Sequence, residues 1–420
     1  MPKRISLRQG FREWGGGTAA FFGYTHGSHD MVTGLLAALL PVIRDSMGLN
    51  YLQTGLLLSA YTITSGISQF FGGWLADRFT RQKIISVGLG GVGLSAIALG
   101  FSSTYSIMMV TLVAMGIFSG GYHPSATPMF TSYFEKSRHG RVIAIHMLGG
   151  SIGFSSSPVL GGIIAGAFGW RYAFMILPLP VLIATLLMLF KFKRKNSQDV
   201  DETTDIGTVI QNESHTSGKE KKENKIVQIG RALRPIAPLA ILAVLFQFVG
   251  GAAMAFIAIY LVDKHGLTAV HAAMWLGIVR GGGIVGSLLG GWLSDKWGRK
   301  NALILVLIVT GPTLFLATRL PFGVGLIAVL LLLGLLMNMR QSTMQPLMVA
   351  YTPQALMATV FGFYFGLSME GSSLIQPVAG HFMDLVGINT VFNFIAFIAL
   401  ALSLFALLLW KRPWSSTEKS

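Results

Sequence analysis

The sequence predicts an all-α integral membrane protein of twelve transmembrane helices, arranged as two six-helix, pseudo-symmetric halves. Three observations carry that prediction: a composition too apolar for a soluble domain of this length, a series of apolar runs of bilayer-spanning length, and one long internal repeat. Of 420 residues, 52% are hydrophobic, only 12% are charged and 51 are glycine, and the mean hydropathy is +0.62. A helix needs about 20 apolar residues to cross the hydrocarbon core. Runs of that order lie near 18–43, 51–76, 84–102, 106–134, 141–168 and 171–190, and again near 235–262, 270–294, 301–318, 322–350, 356–383 and 388–410.

Between the two sets lies a polar stretch of mixed charge, residues 191–234, whose composition is that of a linker. The chain therefore divides into an N-terminal six-helix bundle over 1–190, a cytoplasmic linker over 191–234, and a C-terminal six-helix bundle over 235–420. The repeat relates the bundles at an offset of 218 residues. It sets Gly72–Lys83 (GGWLADRFTRQK) on Gly290–Asn301 (GGWLSDKWGRKN), Gly48 on Gly266, Asp45 on Asp263, Gly116 on Gly334 and Pro128 on Pro346.

A net charge of +15 raises the question of a nucleic-acid partner. The placement of the positive residues answers it. With the N-terminus inside, the segments Lys3–Arg12, Arg78–Lys83, Lys136–Arg141, Lys191–Arg234, Lys296–Lys300 and Lys411–Lys419 all fall on the cytoplasmic face. The other face receives only Arg44, Arg171, Lys264 and Arg319. Such asymmetry is the positive-inside pattern, so the basicity is topological: a cell-membrane protein with both termini cytoplasmic and no nucleic-acid partner. There is no cysteine, which excludes disulfides and thiol chemistry. The first span is followed by no small-residue cleavage pattern and is expected to remain as an anchor.

The paired loop segments bear a resemblance. Gly73-x-x-x-Asp77-Arg78-x-x-Arg81-x-Lys83 and Gly291-x-x-x-Asp295-Lys296-x-Gly298-Arg299-Lys300 resemble the loop between the second and third helices of each half in the major facilitator superfamily, with Thr80 where a glycine is usual. The resemblance implies alternating access between two bundles, and a gating role for Asp77, Arg78, Arg81, Asp295, Lys296 and Arg299 as a charge latch at helix ends. The stretch Gly153–Gly162 (GFSSSPVLGG) resembles the glycine and proline signature of antiporters in that superfamily, with Ser157 in place of glycine. Gly153 and Pro158 would there allow close packing and a bend. Leu112 stands where such antiporters carry arginine. The pair HGSHD in the first span and GGYHPSATP in the fourth is similar to the fosmidomycin-resistance branch.

Ionisable groups inside spans are costly, at roughly 2.5–3.5 kcal/mol each on insertion scales, and so face a cavity or a partner. Asp30, Glu370, Arg280 and Arg340 are placed in this way. His26, His29 and Asp30 are spaced i, i+3, i+4 and form one stripe on a helix face. A histidine exchanges protons near neutral pH, which makes the stripe and Glu370 candidates for proton coupling; a static hydrogen-bonded pair that fixes packing is the alternative. A metal ligand set of His26, His29 and Asp30 is allowed by spacing, but no cysteine or further carboxylate cluster joins it, so no metal is expected. Arg280 and Arg340 occur only in the second half, opposite Thr62 and Tyr122 in the repeat. Arginine grips carboxylates and phosphates with parallel hydrogen bonds. The two arginines, with His123, Tyr122, Asn338 and Gln341, are the candidate substrate contacts. A structural Arg340–Glu370 salt bridge is the competing assignment. His146, near the end of span 5, is expected to matter less.

No phosphate-binding loop is present and no catalytic constellation stands out, so an enzyme is not expected and no cofactor is implied. The leading function is a secondary active transporter of a small organic anion, coupled to protons. The alternative is a proton-driven drug efflux antiporter, and a third class is a membrane sensor on the same fold. The expected partners are a small-molecule substrate, protons and membrane lipid, with the chain acting as a monomer.

Overall fold

The computed structural model describes residues 16–135, 138–191, 234, 236–352, 360, 364 and 371–410. Glu370, nearly all of the 191–234 segment and the side chain of Asp77 lie outside the described residues. Among the described residues all regular secondary structure is helical. The first half comprises α1 (Gly16–Thr33), α2 (Leu35–Met47), α3 (Tyr51–Arg78), α4 (Arg81–Gly100), α5 (Tyr105–Ser119), α6 (Tyr122–Thr131), α7 (His139–Phe168), α8 (Trp170–Ile176) and α9 (Leu179–Lys191). The second comprises α10 (Ala237–His265), α11 (Ala269–Trp297), α12 (Arg299–Arg319), α13 (Val324–Tyr351), α14 (Gly371–Val386) and α15 (Ile388–Trp410). Among the described residues, nine helical stretches are long and apolar enough to cross a membrane. Among the described residues the helices follow the predicted runs, and three runs of the first half are each split in two, giving α1/α2, α5/α6 and α8/α9.

The repeat seen in the sequence returns as repeated cap geometry. Gly48 and Gly266 close α2 and α10 in the left-handed region, at φ 63° and 64°, where a glycine carries no Cβ penalty. Two residues on, Asn50 accepts from the backbone N–H of Gln53, and Thr268 accepts from that of His271. Each satisfies an orphan N–H of the helix that follows. Gly169 and Gly387 are a third such pair, at φ 95° and 81°. The basic loops break the symmetry. Gly298 turns at φ 85°, whereas Thr80, its counterpart, has φ −63°. The residue that departs from the superfamily pattern thus makes its turn by a different backbone path.

Span 4 is interrupted at Gly120-Gly121, just before Pro124, which has no N–H to offer the preceding turn. Gly120 also packs on α3, because a Cβ there would lie 1.9 Å from Ser68 Oγ. Within the first half, α1 and α7 meet backbone to backbone. A Cβ on Gly149 would fall 2.0 Å from the carbonyl oxygen of Gly23, and one on Gly153 1.9 Å from that of Gly27. Close approach of this kind is what small residues permit between helices in lipid.

The two halves meet toward the end remote from the basic loops. There α7 lies against α11, with Gly162 beside Val270 and Ala273, and Gly277 beside Ser155 and Val159. On the other flank α3 lies against α14, with Gly55 on Gln376 and Pro377, and Gly380 on Tyr51 and Leu52. Toward the basic loops, the recorded close approaches of Gly72 and Gly290 are to helices of their own halves. Phe71, Trp74, Leu288 and Trp292 are exposed there.

Candidate functional site

The polar stripe of α1 is buried inside the first half and centres on Asp30. His26 Nε2 lies 3.2 Å from Asp30 Oδ2, and His29 Nδ1 lies 2.9 Å from Asp30 Oδ1, so both carboxylate oxygens are engaged by imidazoles of the same helix. His26 and His29 are 4% and 1% exposed. The Asp30 side chain keeps 19% of its surface, more than either imidazole.

Neighbouring helices complete the group. His26 Nδ1 donates to the carbonyl of His146 at 2.9 Å, and His146 Nδ1 donates to that of Phe22 at 3.1 Å. The two rings stack at 4.2 Å between centroids. The far nitrogen of His29 lies 3.2 Å from Ser119 Oγ, which Tyr61 and Ser65 approach at 3.2 and 3.4 Å. Tyr122 stacks on His29 at 4.8 Å and bonds Thr25 at 3.0 Å. His123, presented by the break in span 4, stands edge-on to His26 and His29 at 5.4 and 5.1 Å, and it is not buried.

This assembly corrects one expectation. His146, near the start of the fifth apolar run, is expected from the sequence to matter less. The helix packs so tightly on α1 through Gly149 and Gly153 that His146, 2% exposed, becomes part of the cluster. His29 and Asp30 do form the hydrogen-bonded pair that spacing allowed.

Arg280 projects from α11 across the seam between the halves. Its Nη1 donates to the carbonyl of Gly34, at the interruption of span 1, at 2.9 Å. Its guanidinium carbon sits 4.0 Å from the centroid of the Phe154 ring. No ion pair to Arg280 occurs among the described residues. Gly34 is one helical turn past Asp30, which puts the arginine beside the histidine–aspartate cluster without pairing to it. Arg340 is placed otherwise. It is 6% exposed and is held inside the second half by the carbonyl of Ala243 at 3.0 Å and by the amide oxygen of Gln247. Asn338 bonds back to the carbonyl of Gly334 at 3.2 Å and fills the space beside Gly283. Gln341 is half-buried on the same helix.

At the basic loops, Arg78 and Lys296 lie over the rings of Trp74 and Trp292. Arg81 is half-buried, Asp295 is exposed, and Arg299 reaches the carbonyl of Pro346 at 3.3 Å. Pro158 lies within α7 and Gly153 in its contact with Gly27. The charge pairing between halves is found at the opposite end, on residues that sequence reasoning missed. Arg44 makes two hydrogen bonds to Asp263, at 2.6 and 2.8 Å, and Tyr51 donates to the same carboxylate at 2.6 Å. Asp384 caps α3 by accepting from the N–H groups of Tyr51 and Leu52, both at 2.9 Å. One signal was available: Asp263 aligns with Asp45 in the repeat, and Arg44 is among the few basic residues of that face.

A family model described as Major Facilitator Superfamily matches residues 24–377. The chain is 28% identical over 265 residues to the probable sulfoacetate transporter SauU of Cupriavidus necator, a match that covers 62% of this chain and 60% of that one. It thus spans about three fifths of that relative. To the fosmidomycin resistance protein of Escherichia coli it is 21% identical over 391 residues, covering 88% and 90%. A solved structure of a bacterial homolog to the human lysosomal transporter Spinster, in an inward-facing and occupied conformation, superposes with a TM-score of 0.74 at 17% identity over 95% of this chain and 97% of that one. That likeness speaks for the fold. With the family model matched over most of its length and several helices long and apolar enough to cross a membrane, the chain is a multi-pass membrane protein and belongs to the Major Facilitator Superfamily.

Proposed function

We propose that the chain is a proton-coupled secondary transporter of a small organic anion, working by alternating access in the cell membrane. The observation that carries this reading is Arg280. A guanidinium has five N–H donors; one is spent on the Gly34 carbonyl, and no carboxylate neutralises the charge among the described residues. A lone cation at the seam of two moving bundles suits an anionic substrate that joins them. Arg340 is the lesser candidate, since it is buried and already donates to Ala243 and Gln247 inside the second half.

Asp30, with His26 and His29, is the proposed proton carrier, one helical turn from the Arg280 contact. Substrate charge and proton would then be felt by the same segment of span 1. On the proposed topology, with the basic loops and both termini cytoplasmic, the Arg44–Asp263 pair joins the halves at the outer end. The reading involves no cofactor and a monomer suffices for it. Drug efflux is the second reading, favoured by the resistance-protein relative that matches nearly the full chain.

The test is transport in proteoliposomes holding the purified protein and a pH-sensitive dye, challenged with small carboxylates, sulfonates, phosphonates and lipophilic cations. Proton movement evoked by one anion class, and lost in Asp30→Asn, is the expected result. Responses confined to lipophilic cations would replace this reading with efflux, and ligand binding without any flux would point to a sensor.

A further inference from the structure

We infer that His26, Asp30 and His123 form a binding site for a divalent transition metal of the Zn2+ type, three protein ligands leaving a fourth coordination position open. The first support is distance. One ligand atom from each of the three residues lies within 4.8 Å of those of the other two. A tetrahedral zinc with bonds of about 2.0–2.1 Å sets its ligand atoms about 3.3 Å apart. His26 Nε2 and Asp30 Oδ2 are already at 3.2 Å, so only the His123 ring, whose side chain is not packed as a fully buried one, has to close.

The second support is independent of the spacing and comes from the hydrogen bonds. A backbone carbonyl only accepts, so the bond from His26 to the His146 carbonyl assigns the proton of a neutral His26 ring to Nδ1. The Nε2 lone pair then points at a carboxylate oxygen 3.2 Å away. Two acceptors that face each other need a cation between them, either a proton or a metal. The same bond is the outer-shell contact that zinc-binding histidines characteristically make to fix ring and tautomer. The other Asp30 oxygen is likewise held by His29, leaving Oδ2 for the ion.

Two imidazoles and one carboxylate select Zn2+, Ni2+ or Cu2+ over Mg2+ and Ca2+. Three protein ligands leave one position open for water or an anionic oxygen. The ion would occupy the atoms assigned above to the proton, so saturating zinc would arrest proton-driven transport. The binding claim itself holds whether or not the protein moves protons.

The test is titration of tag-free, detergent-purified full-length protein with ZnCl2 by calorimetry, and with CoCl2 by visible absorption. One Zn2+ per chain and an intense tetrahedral cobalt band are expected. His123→Ala should weaken zinc binding at least tenfold, and His271→Ala, a surface histidine remote from the site, should leave it unchanged. Absence of stoichiometric zinc binding by the unmodified protein, or equal affinity in His123→Ala with its thermal stability intact, would overturn the inference. Loss of proton-coupled flux in Asp30→Asn with zinc binding absent from the unmodified protein would leave the transport reading standing and this one refuted.

Discussion

At the scale of single residues, Arg280 and Asp30 divide the work that the proposed reaction needs. Charge-assisted hydrogen bonds contribute about 1.5–3 kcal/mol, and each 1.4 kcal/mol is tenfold in affinity. Arg280→Gln should therefore raise the apparent constant for an anionic substrate about ten- to hundredfold, with neutral compounds little affected, as measured by competition in the proteoliposome assay. Equal losses for charged and neutral compounds, together with poor expression, would make Arg280 a folding residue that ties α11 to Gly34. Asp30→Asn keeps a hydrogen-bonding group of the same size but removes the carboxylate that draws His26 and His29 together. It should abolish accumulation driven by a pH gradient while permitting exchange of substrate for substrate. Retained gradient-driven uptake would remove Asp30 from the proton path.

At the scale of elements, the glycines of α7 set how closely span 5 approaches span 1, and they carry His146 into the polar cluster. An added Cβ at Gly153 would lie 1.9 Å from the Gly27 carbonyl oxygen, so the helices must separate. Overpacking of this kind costs about 1–3 kcal/mol or more. Gly153→Ala should lower the detergent-solubilised melting temperature by several degrees, whereas Gly281→Ala, with nothing within 4 Å of its added Cβ, should not. An unchanged melting temperature for Gly153→Ala would mean that the signature has a role other than packing. The spans themselves were legible in the sequence, because hydropathy summed over twenty residues is insensitive to local detail. For the same reason the interruptions at Gly34 and Gly120-Gly121 were not. The His26–His29–Asp30 stripe was legible from its i, i+3, i+4 spacing. Its partners on α5 and α7 depend on which helix faces which, and the first half's own pattern does not encode that.

At the scale of the whole molecule, the closed end is held by glycine-mediated packing and by one charged cluster whose partners, Arg44 and Asp263, are 219 residues apart. No local pattern reveals a pair so distant, and each partner alone looks like an ordinary residue at a span end. The Arg44 and Asp263 side chains are only 14% and 19% exposed, so salt screens their attraction less than that of a surface pair. Asp263 accepts from both Arg44 and Tyr51, and Asp263→Asn weakens all of these bonds at once. A loss of about 2 kcal/mol of closed-state preference shifts the balance of the two access states about thirtyfold. Ser59 reports on that shift. It is 3% exposed, pinned to the carbonyl of Ser373 across the seam at 2.6 Å, and becomes accessible only when the halves part at this end. Because the chain has no cysteine, Ser59→Cys is a single reactive thiol without background. A membrane-impermeant maleimide should label it at least tenfold faster when Asp263→Asn is added, and the anionic substrate should change that rate. Equal labelling in both backgrounds would assign closure to the packing of α7 on α11 and α3 on α14, with the ion pair as a bystander.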